Sequence, residues 1–580
     1  MKIGREMRWT RYSIYSDSMF SVTQSRPLLF VREWSLYSRR FYRTSKPNIL
    51  VKTSNNAPRK RHPAKDKRSS LNPTPFQYGT YGGLIENEDK IVEQTSALLK
   101  KVATFHQLKI LPDVRTAAQS VLSQESILNN RNYIASNRKE VRIKKEHSGL
   151  DADSINPSPI QVATIQKLAK TLMDIKLQVH TIAAETGSGK TMAYLIPLFD
   201  YLKRFEVENA AEWESLKDKA VIRSAILVPT HELADQVYNT VNTMAEALDL
   251  NACKYGSGST YSGFLDSVKA RVDILVTTPG KMLNLFNVRI IERPERLFAR
   301  TSFVVLDEAD TLMDKSWLEE TYKTIQMMPN AYHLLLCSAT IPNEFRKTVQ
   351  RLFPTSHSIS TPKLHRLPNN IDFKLIDATL NPYKGSKMKA LAQTLYAITM
   401  DGTELGFQKR AIIFVNEKKD VANIVEKLVN DFGHDCVGLT GEDSAEVRAE
   451  KIKPFVSPPQ PLKSATTDLR DQAAEQISTT SYTVPGSNVI ISNSFHSNGE
   501  VRATLKVLVT SDVTARGINF QGVRNIILYD VPKTAVDLVH RVGRTGRMNQ
   551  SGRVFMLTDK KTKSWAKGLP KVARNHIPIA

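Results

Sequence analysis

Cysteine is scarce in this chain. Only three occur in 580 residues, at Cys253, Cys337 and Cys436, far apart and with no CxxC pair. Neither a disulfide framework nor a thiolate zinc site has a basis in that spacing, and a reducing compartment fits it. Cys337 lies inside an apolar run and is expected in a core. Long apolar runs are also missing: none approaches the roughly 20 residues of a membrane span, so no membrane insertion is expected. Acidic residues are sparse at the start, where Glu6, Asp17, Glu33 and Asp66 are the only ones before residue 70. Across the chain 81 Lys and Arg outweigh 58 Asp and Glu, a formal charge of +23. That excess implies a polyanionic partner, a basic targeting arm or both.

At this length a single core is excluded, and roughly two to four domains are expected. The start of the chain is Arg-rich, Ser-rich and acid-poor, and Arg40-Phe41-Tyr42 resembles a matrix-protease cleavage pattern. Residues 1–45 are therefore expected to be a mitochondrial transit peptide, the alternative being a basic tail that touches nucleic acid. An extension follows over 46–150, without assignable chemistry; its basic end, Arg138 to Lys145, is either a solvated helix face or a nucleic-acid contact. From about Asn156 short apolar runs alternate with helical stretches, the rhythm of a parallel sheet. The pattern restarts after Thr361, which predicts an α/β protein of two tandem domains at 151–361 and 370–580. Residues 457–498 are rich in Pro, Ser, Thr and Gln and read as a surface insertion, mostly disordered.

Each predicted strand of the first half ends on a polar cluster. The run Val179 to Ala184 leads into Glu185-Thr186-Gly187-Ser188-Gly189-Lys190-Thr191, which then opens a helix. Glycines there let backbone N–H groups face phosphate oxygens, Lys190 reaches the β- and γ-phosphates of ATP, and the Thr191 hydroxyl is a ligand for Mg²⁺. The run Phe303 to Leu306 stops at Asp307-Glu308-Ala309-Asp310. Alone, those carboxylates are either a strand leaving the core through a polar turn or a ligand edge. Beside a phosphate loop, Asp307 is placed to hold the metal and Glu308 to accept a proton from the attacking water. His540, Arg541, Arg544 and Arg547 crowd cations on one short segment. Across a cleft from a triphosphate, Arg544 and Arg547 can act as arginine fingers; on an open surface they form an RNA-facing basic helix.

With Asp307-Glu308-Ala309-Asp310 in place, the chain resembles a DEAD-box ATP-dependent RNA helicase from about Asn156 to Met556. The resemblance implies two RecA-like domains. It implies an adenine contact at Gln161, within Pro157-Ser158-Pro159-Ile160-Gln161, and a phosphate loop over Ala184 to Thr191. Ser338-Ala339-Thr340 then couples hydrolysis to strand separation, with Asp310 linking that segment to His540. RNA contacts are implied at Pro229, Thr230, Thr278, Pro279, Gly280, Lys281, Asn416, Arg448 and Ser511. His231 and Lys281 stand where arginine is usual, Ala445 replaces a glutamine ahead of Arg448, and Asn519 replaces an aspartate that contacts the ribose. Hydrolysis is expected to survive these departures while RNA grip and nucleotide affinity change.

The expected activity is that of an RNA-dependent ATPase that unwinds local duplexes or remodels ribonucleoproteins. An ATP-gated RNA clamp and a DNA translocase are the competing readings. Paired with a transit-like arm, the core resembles fungal mitochondrial DEAD-box proteins that assist assembly of the large ribosomal subunit. That implies a matrix location and ribosomal RNA and pre-ribosomal particles as partners; the sequence does not fix the oligomeric state, and a monomer is expected.

Overall fold

The computed structural model describes residues 75–79, 83–85, 89–125, 155–287, 294–401, 403–404, 407–459, 478–483, 490–495, 504–515, 517–547 and 550–580. The basic arm over 1–45 and the cluster Arg138 to Lys145 lie outside them.

Two sheets organise these residues. The first contains β1 (Gln178–Ala183), β2 (Ile222–Leu227), β3 (Ala252–Tyr255), β4 (Val272–Thr277), β5 (Phe303–Asp307), β6 (His333–Ser338) and β7 (His357–Ser360). Their order is β3-β4-β2-β5-β6-β1-β7, with every pair parallel. Residue after residue of β2, β4, β5 and β6 is buried, because helices cover both faces. The second sheet contains β8 (Ile371–Asp377), β9 (Lys409–Phe414), β10 (Asp435–Leu439), β13 (Leu505–Thr510), β14 (Asn525–Leu528) and β15 (Gly552–Thr558). Its order is β10-β13-β9-β14-β15-β8, again all parallel. The expected tandem α/β architecture is the observed one, and ten residues separate the end of β7 from the start of β8.

Two further features depart from the sequence reading. Ser478–Thr483 (β11) and Ile490–Phe495 (β12) pair antiparallel inside the stretch expected to be mostly disordered. Helices over Asp89–Lys101 and Pro112–Glu125 pack on the first domain, where Phe105, Val114, Ala118 and Val121 join its buried core. The Leu111 N–H also donates to Asp200 Oδ1 at 2.8 Å. Part of the 46–150 extension is thus continuous with the first domain.

Six helices frame the cleft: α1 (Pro159–Leu168), α2 (Lys190–Glu208), α3 (His231–Ala247), α4 (Ala309–Leu312), α5 (Ala445–Val456) and α6 (Ala535–Val542). Since all strands in a sheet run one way, the groups following β1, β2, β4, β5 and β6 share one carboxyl edge, the edge that holds ligands in open α/β folds.

Candidate active site

The phosphate loop takes its shape from its glycines and from α1. Gly187 and Gly189 have φ of +75° and +86°, values that a side chain would strain. Pro159 and the N-cap Ser158 start α1. The Gln161 carbonyl oxygen accepts the Ser158 N–H at 2.8 Å, and its amide donates to the Gly189 carbonyl at 3.2 Å. Gln161 is buried and braces the loop from beneath. Lys190, at the N-terminus of α2, donates to the carbonyls of Ala184 and Glu185 at 3.1 and 3.0 Å, curling back over the loop.

Opposite it, β5 delivers the carboxylates. Asp307 accepts from the Tyr194 hydroxyl at 3.0 Å and from the Glu308 N–H at 2.9 Å. Burial pushes the Asp307 carboxyl up to about 6, with the Glu308 charge adding to the shift and Lys190 opposing it. Glu308 sits at a left-handed φ of 49°, a conformation that costs a non-glycine residue energy and is found at functional turns. Among the described residues its buried Oε2 has no hydrogen-bond partner. Asp310 stays close to Glu308, one carboxylate oxygen of each and a His540 ring nitrogen lying within 4.8 Å of one another; its own Oδ2 accepts the Thr340 hydroxyl at 2.6 Å and faces His540 Nε2 at 3.2 Å. The Thr340 N–H in turn donates to Ser338 Oγ at 3.2 Å, and Ala339 between them is buried.

His540, Arg544 and Arg547 come from the second half, on and just after α6. The two halves touch here: a Cβ at Gly543 would collide with the Thr186 side chain, and one at Gly187 would meet Arg547 Cγ at 3.0 Å. Arg544 donates to the carbonyls of His540 and Ile518 at 3.0 and 2.6 Å. Arg547 donates to the Gly543 carbonyl at 2.9 Å and to Asn519 Oδ1. Burial pulls Arg547 down to about 9, the adjacent Arg544 charge adds to that, and Glu308 works against it. Repulsion between the two guanidiniums, Arg544 buried and Arg547 half-buried, favours an anion beside them.

The residues implied as RNA contacts have protein partners. The Thr230 hydroxyl caps α3 by accepting the Leu233 N–H at 3.3 Å, following Pro229. Thr278 Oγ1 accepts the Lys281 N–H at 3.4 Å, at the turn through Pro279 and Gly280. Lys281 Nζ lies 5.5 Å from the Tyr255 ring centroid. Arg448, on α5, forms an ion pair with Glu232 on α3 at 2.9 Å and so crosses the cleft. The Asn416 side chain accepts from Arg541 at 2.7 Å and donates to the Val531 carbonyl at 2.9 Å, so both ends are engaged inside the second half. Ser511 is half-buried after β13. Burial lowers the His231 pKa, and nearby Lys281 adds to this against Glu232; the imidazole is neutral where an arginine would carry charge.

Sequence reasoning gave no role to Tyr194, Arg541, Asp512 or Gln236, and the structure places all four in the site. Tyr194 holds Asp307. Arg541 makes a two-pronged bond to Asp512, both contacts at 2.6 Å, and ties it to Asn416. Gln236 Oε1 accepts the Asn519 N–H across the cleft at 2.6 Å. A signal existed only for Arg541 and Asp512, which stand within or beside runs already singled out.

Two RecA-like sheets that close on one phosphate loop have the build of a nucleotide-driven motor. Residues 158–348 match the family profile of the DEAD/DEAH box helicase, and residues 479–549 that of the helicase conserved C-terminal domain. The chain belongs to the DEAD-box family of ATP-dependent RNA helicases and is an ATP-hydrolysing enzyme. It is 50% identical to the mitochondrial ATP-dependent RNA helicase MRH4 of Saccharomyces cerevisiae over 574 residues, which cover 97% of this chain and 99% of that one. The Kluyveromyces lactis protein of the same name is 52% identical over 509 residues, covering 87% and 85%. Saccharomyces cerevisiae Dbp5 bound to RNA and ADP BeF3 superposes with a TM-score of 0.51 at 19% identity, covering 82% of this chain and 93% of that one. That likeness is one of fold.

Proposed function

We propose that the chain couples RNA-stimulated ATP hydrolysis to local duplex opening or ribonucleoprotein remodelling in the mitochondrial matrix, during assembly of the large ribosomal subunit. In this reading residues 1–45 are the transit peptide, and the halves over 151–361 and 370–580 are the moving parts. The observation that carries it is the contact of Asp310 with both Thr340 and His540, since a group shared by two halves lets closure on RNA be felt at the ATP site.

In the proposed division of labour, Lys190 leaves the loop carbonyls to meet the β- and γ-phosphates and Glu308 accepts the proton of the attacking water. Arg544 and Arg547 neutralise charge on the transferred phosphoryl group. Gln161 couples base recognition to the loop it braces. The Thr191 hydroxyl and Asp307 carboxylate are hard oxygen donors, a set that suits Mg²⁺, which would offset phosphate charge. RNA is held along Pro229, Thr230, Thr278 to Lys281, Asn416, Arg448 and Ser511 by contacts to its backbone, which position a strand without reading its sequence. The relatives named mitochondrial, the basic arm and the family together support the setting.

Purified protein incubated with RNA and DNA duplexes, under ATP and under a non-hydrolysable analogue, tests the activity. Strand release that needs ATP turnover and RNA is expected; a stable RNA complex without turnover would instead identify an ATP-gated clamp. Crosslinking in intact mitochondria followed by sequencing should recover large-subunit ribosomal RNA, and recovery of unrelated transcripts would sink that assignment.

A further inference from the structure

A short stretch of the extension touches both halves. On the second half, Phe76 pairs in parallel with Ile579. Its N–H donates to the Pro578 carbonyl at 2.8 Å, the Tyr78 N–H donates to the Ala580 carbonyl at 3.0 Å, and the Ala580 N–H returns to the Phe76 carbonyl at 2.9 Å. Tyr78 is buried; its hydroxyl donates to the Pro532 carbonyl at 2.8 Å and its ring stands edge-on to Trp565 at 4.4 Å. On the first half, Leu84 pairs antiparallel with Pro342. The Ile85 N–H donates to the Ile341 carbonyl at 3.2 Å, and the Asn343 N–H to the Gly83 carbonyl at 3.0 Å. Leu84 nevertheless buries its side chain in the core of the second half, with Leu367 and Ile371. Its backbone is held by one half and its side chain by the other.

The attachment point on the first half matters because Ile341 to Asn343 directly follow Thr340, whose hydroxyl reaches Asp310. The connection between the sheets joins the same place. His365 accepts the Ile341 N–H on Nε2 at 3.0 Å and the Ile579 N–H on its carbonyl at 3.0 Å. It is buried at a left-handed φ of 61°, a backbone state that persists only where surrounding contacts impose it. The segment after Thr340, the connection and the chain's last residues therefore meet under Phe76 to Ile85.

We propose that Phe76–Tyr78 and Gly83–Ile85 form an interdomain strap, with Tyr78 and Leu84 as positioning residues for Thr340. By holding the second half against the first, the strap raises the population of the arrangement in which Thr340, Asp310 and His540 meet, so less RNA is needed to complete closure. This rests on the RNA-stimulated reading above. Neither residue belongs to the proposed ATP or RNA contacts; each acts through the placement of the residues after Thr340.

The test uses the full chain with Tyr78→Ala and, separately, Ile85→Pro, which removes the N–H bonded to Ile341. Three quantities are read: ATPase against RNA concentration, the closed fraction from energy transfer between dyes on the two halves, and the unfolding temperature. Both variants should raise the half-stimulating RNA concentration about tenfold and lower the closed fraction, while the rate at saturating RNA stays within about twofold and the unfolding temperature holds. Tyr78→Phe, which keeps the ring, should recover most of the wild-type RNA response. Wild-type half-stimulation and closed fraction in both variants would overturn the strap, as would a lower unfolding temperature with an unmoved RNA response. If the wild-type chain shows no RNA stimulation, the functional reading fails, and the closed fraction with the non-hydrolysable ATP analogue alone still decides the strap.

Discussion

Asp310 on the first half and His540 on the second lie 3.2 Å apart, both buried, although 230 residues separate them in the chain. The same Asp310 oxygen also takes the Thr340 hydroxyl, whereas Asp307 accepts from Tyr194 and lies near Lys190, and on the proposed reading two roles divide within one tetrapeptide. Asp310→Ala is expected to reduce RNA stimulation while leaving measurable hydrolysis. Glu308→Gln, which removes the proposed general base, should lower turnover about 10²–10⁴-fold. Steady-state ATPase with and without RNA separates them, and equal losses in the two variants would refute the division.

Replacing Arg544 or Arg547 by alanine removes a cation from the segment that lies against the phosphate loop. The expected loss is roughly 10³–10⁵ in turnover, the range for arginine fingers. ATP binding should weaken far less, because the proposed fingers would act on charge that develops in the transition state. Single-turnover rates paired with nucleotide titrations check this.

His231→Arg adds a charge to a position where burial keeps the imidazole neutral. RNA affinity should rise several-fold at low salt. Its logarithmic salt slope should steepen by about 0.7 for one added phosphate contact on a single strand. An unchanged slope would show that position 231 does not reach the phosphate backbone.

Far from the cleft, Asp401 holds one buried cation and one half-buried one. Lys409 Nζ lies 2.6 Å from its Oδ1, Arg553 contacts Oδ2, and the Lys409 and Asp401 side chains are 0% and 2% exposed. Burial works to raise the Asp401 pKa, yet Arg553 and Lys409 together hold it well below the usual carboxylate range. Asp401→Asn removes the charge that both cations share, although Lys409 keeps the Ile398 and Thr399 carbonyls and Arg553 keeps Asn525, and should destabilise the second half by about 3 kcal/mol. Denaturant unfolding measures it; the ATP site is untouched, so activity per folded molecule should persist.

Acid should loosen the first domain. Burial brings His333 down to about 4, and burial with neighbouring His357 brings His180 down to about 3. Both are neutral in the fold, whereas the unfolded chain protonates near 6.5. The unfolded state therefore binds more protons between these values, and stability falls as pH drops from about 6.5 toward 4. His333 contributes on the order of 3 kcal/mol of that loss. Unfolding midpoints at pH 7 and pH 5 test it, and His333→Gln should flatten the difference.

Strands buried on both faces were legible in sequence because every residue of Phe303 to Leu306 or Ala225 to Val228 must be apolar. Edge strands were not. Ala252–Tyr255, His357–Ser360 and Asp435–Leu439 are only partly buried, so their composition carries polar residues and no continuous run. Tyr78 and Leu84 were equally silent, since an isolated tyrosine or leucine does not reveal that its partner is Pro532 or a core in the other half.

The sequence by itself determined the local chemistry. Gly187 and Gly189 permit the loop's backbone, Lys190 and Thr191 open a helix at its end, and a strand stops at three carboxylates. These are constraints between neighbours, and spacing records them. Only the tertiary structure decided which distant groups meet. It brought Arg448 to Glu232, Asn519 to Gln236 and Tyr78 to Pro532, pairings set by the relative placement of two sheets, and it gave the Asp310–His540 link that the family resemblance implied its 3.2 Å distance. Directional hydrogen bonds between buried groups depend on that placement to within fractions of an ångström, and no spacing along either half records it.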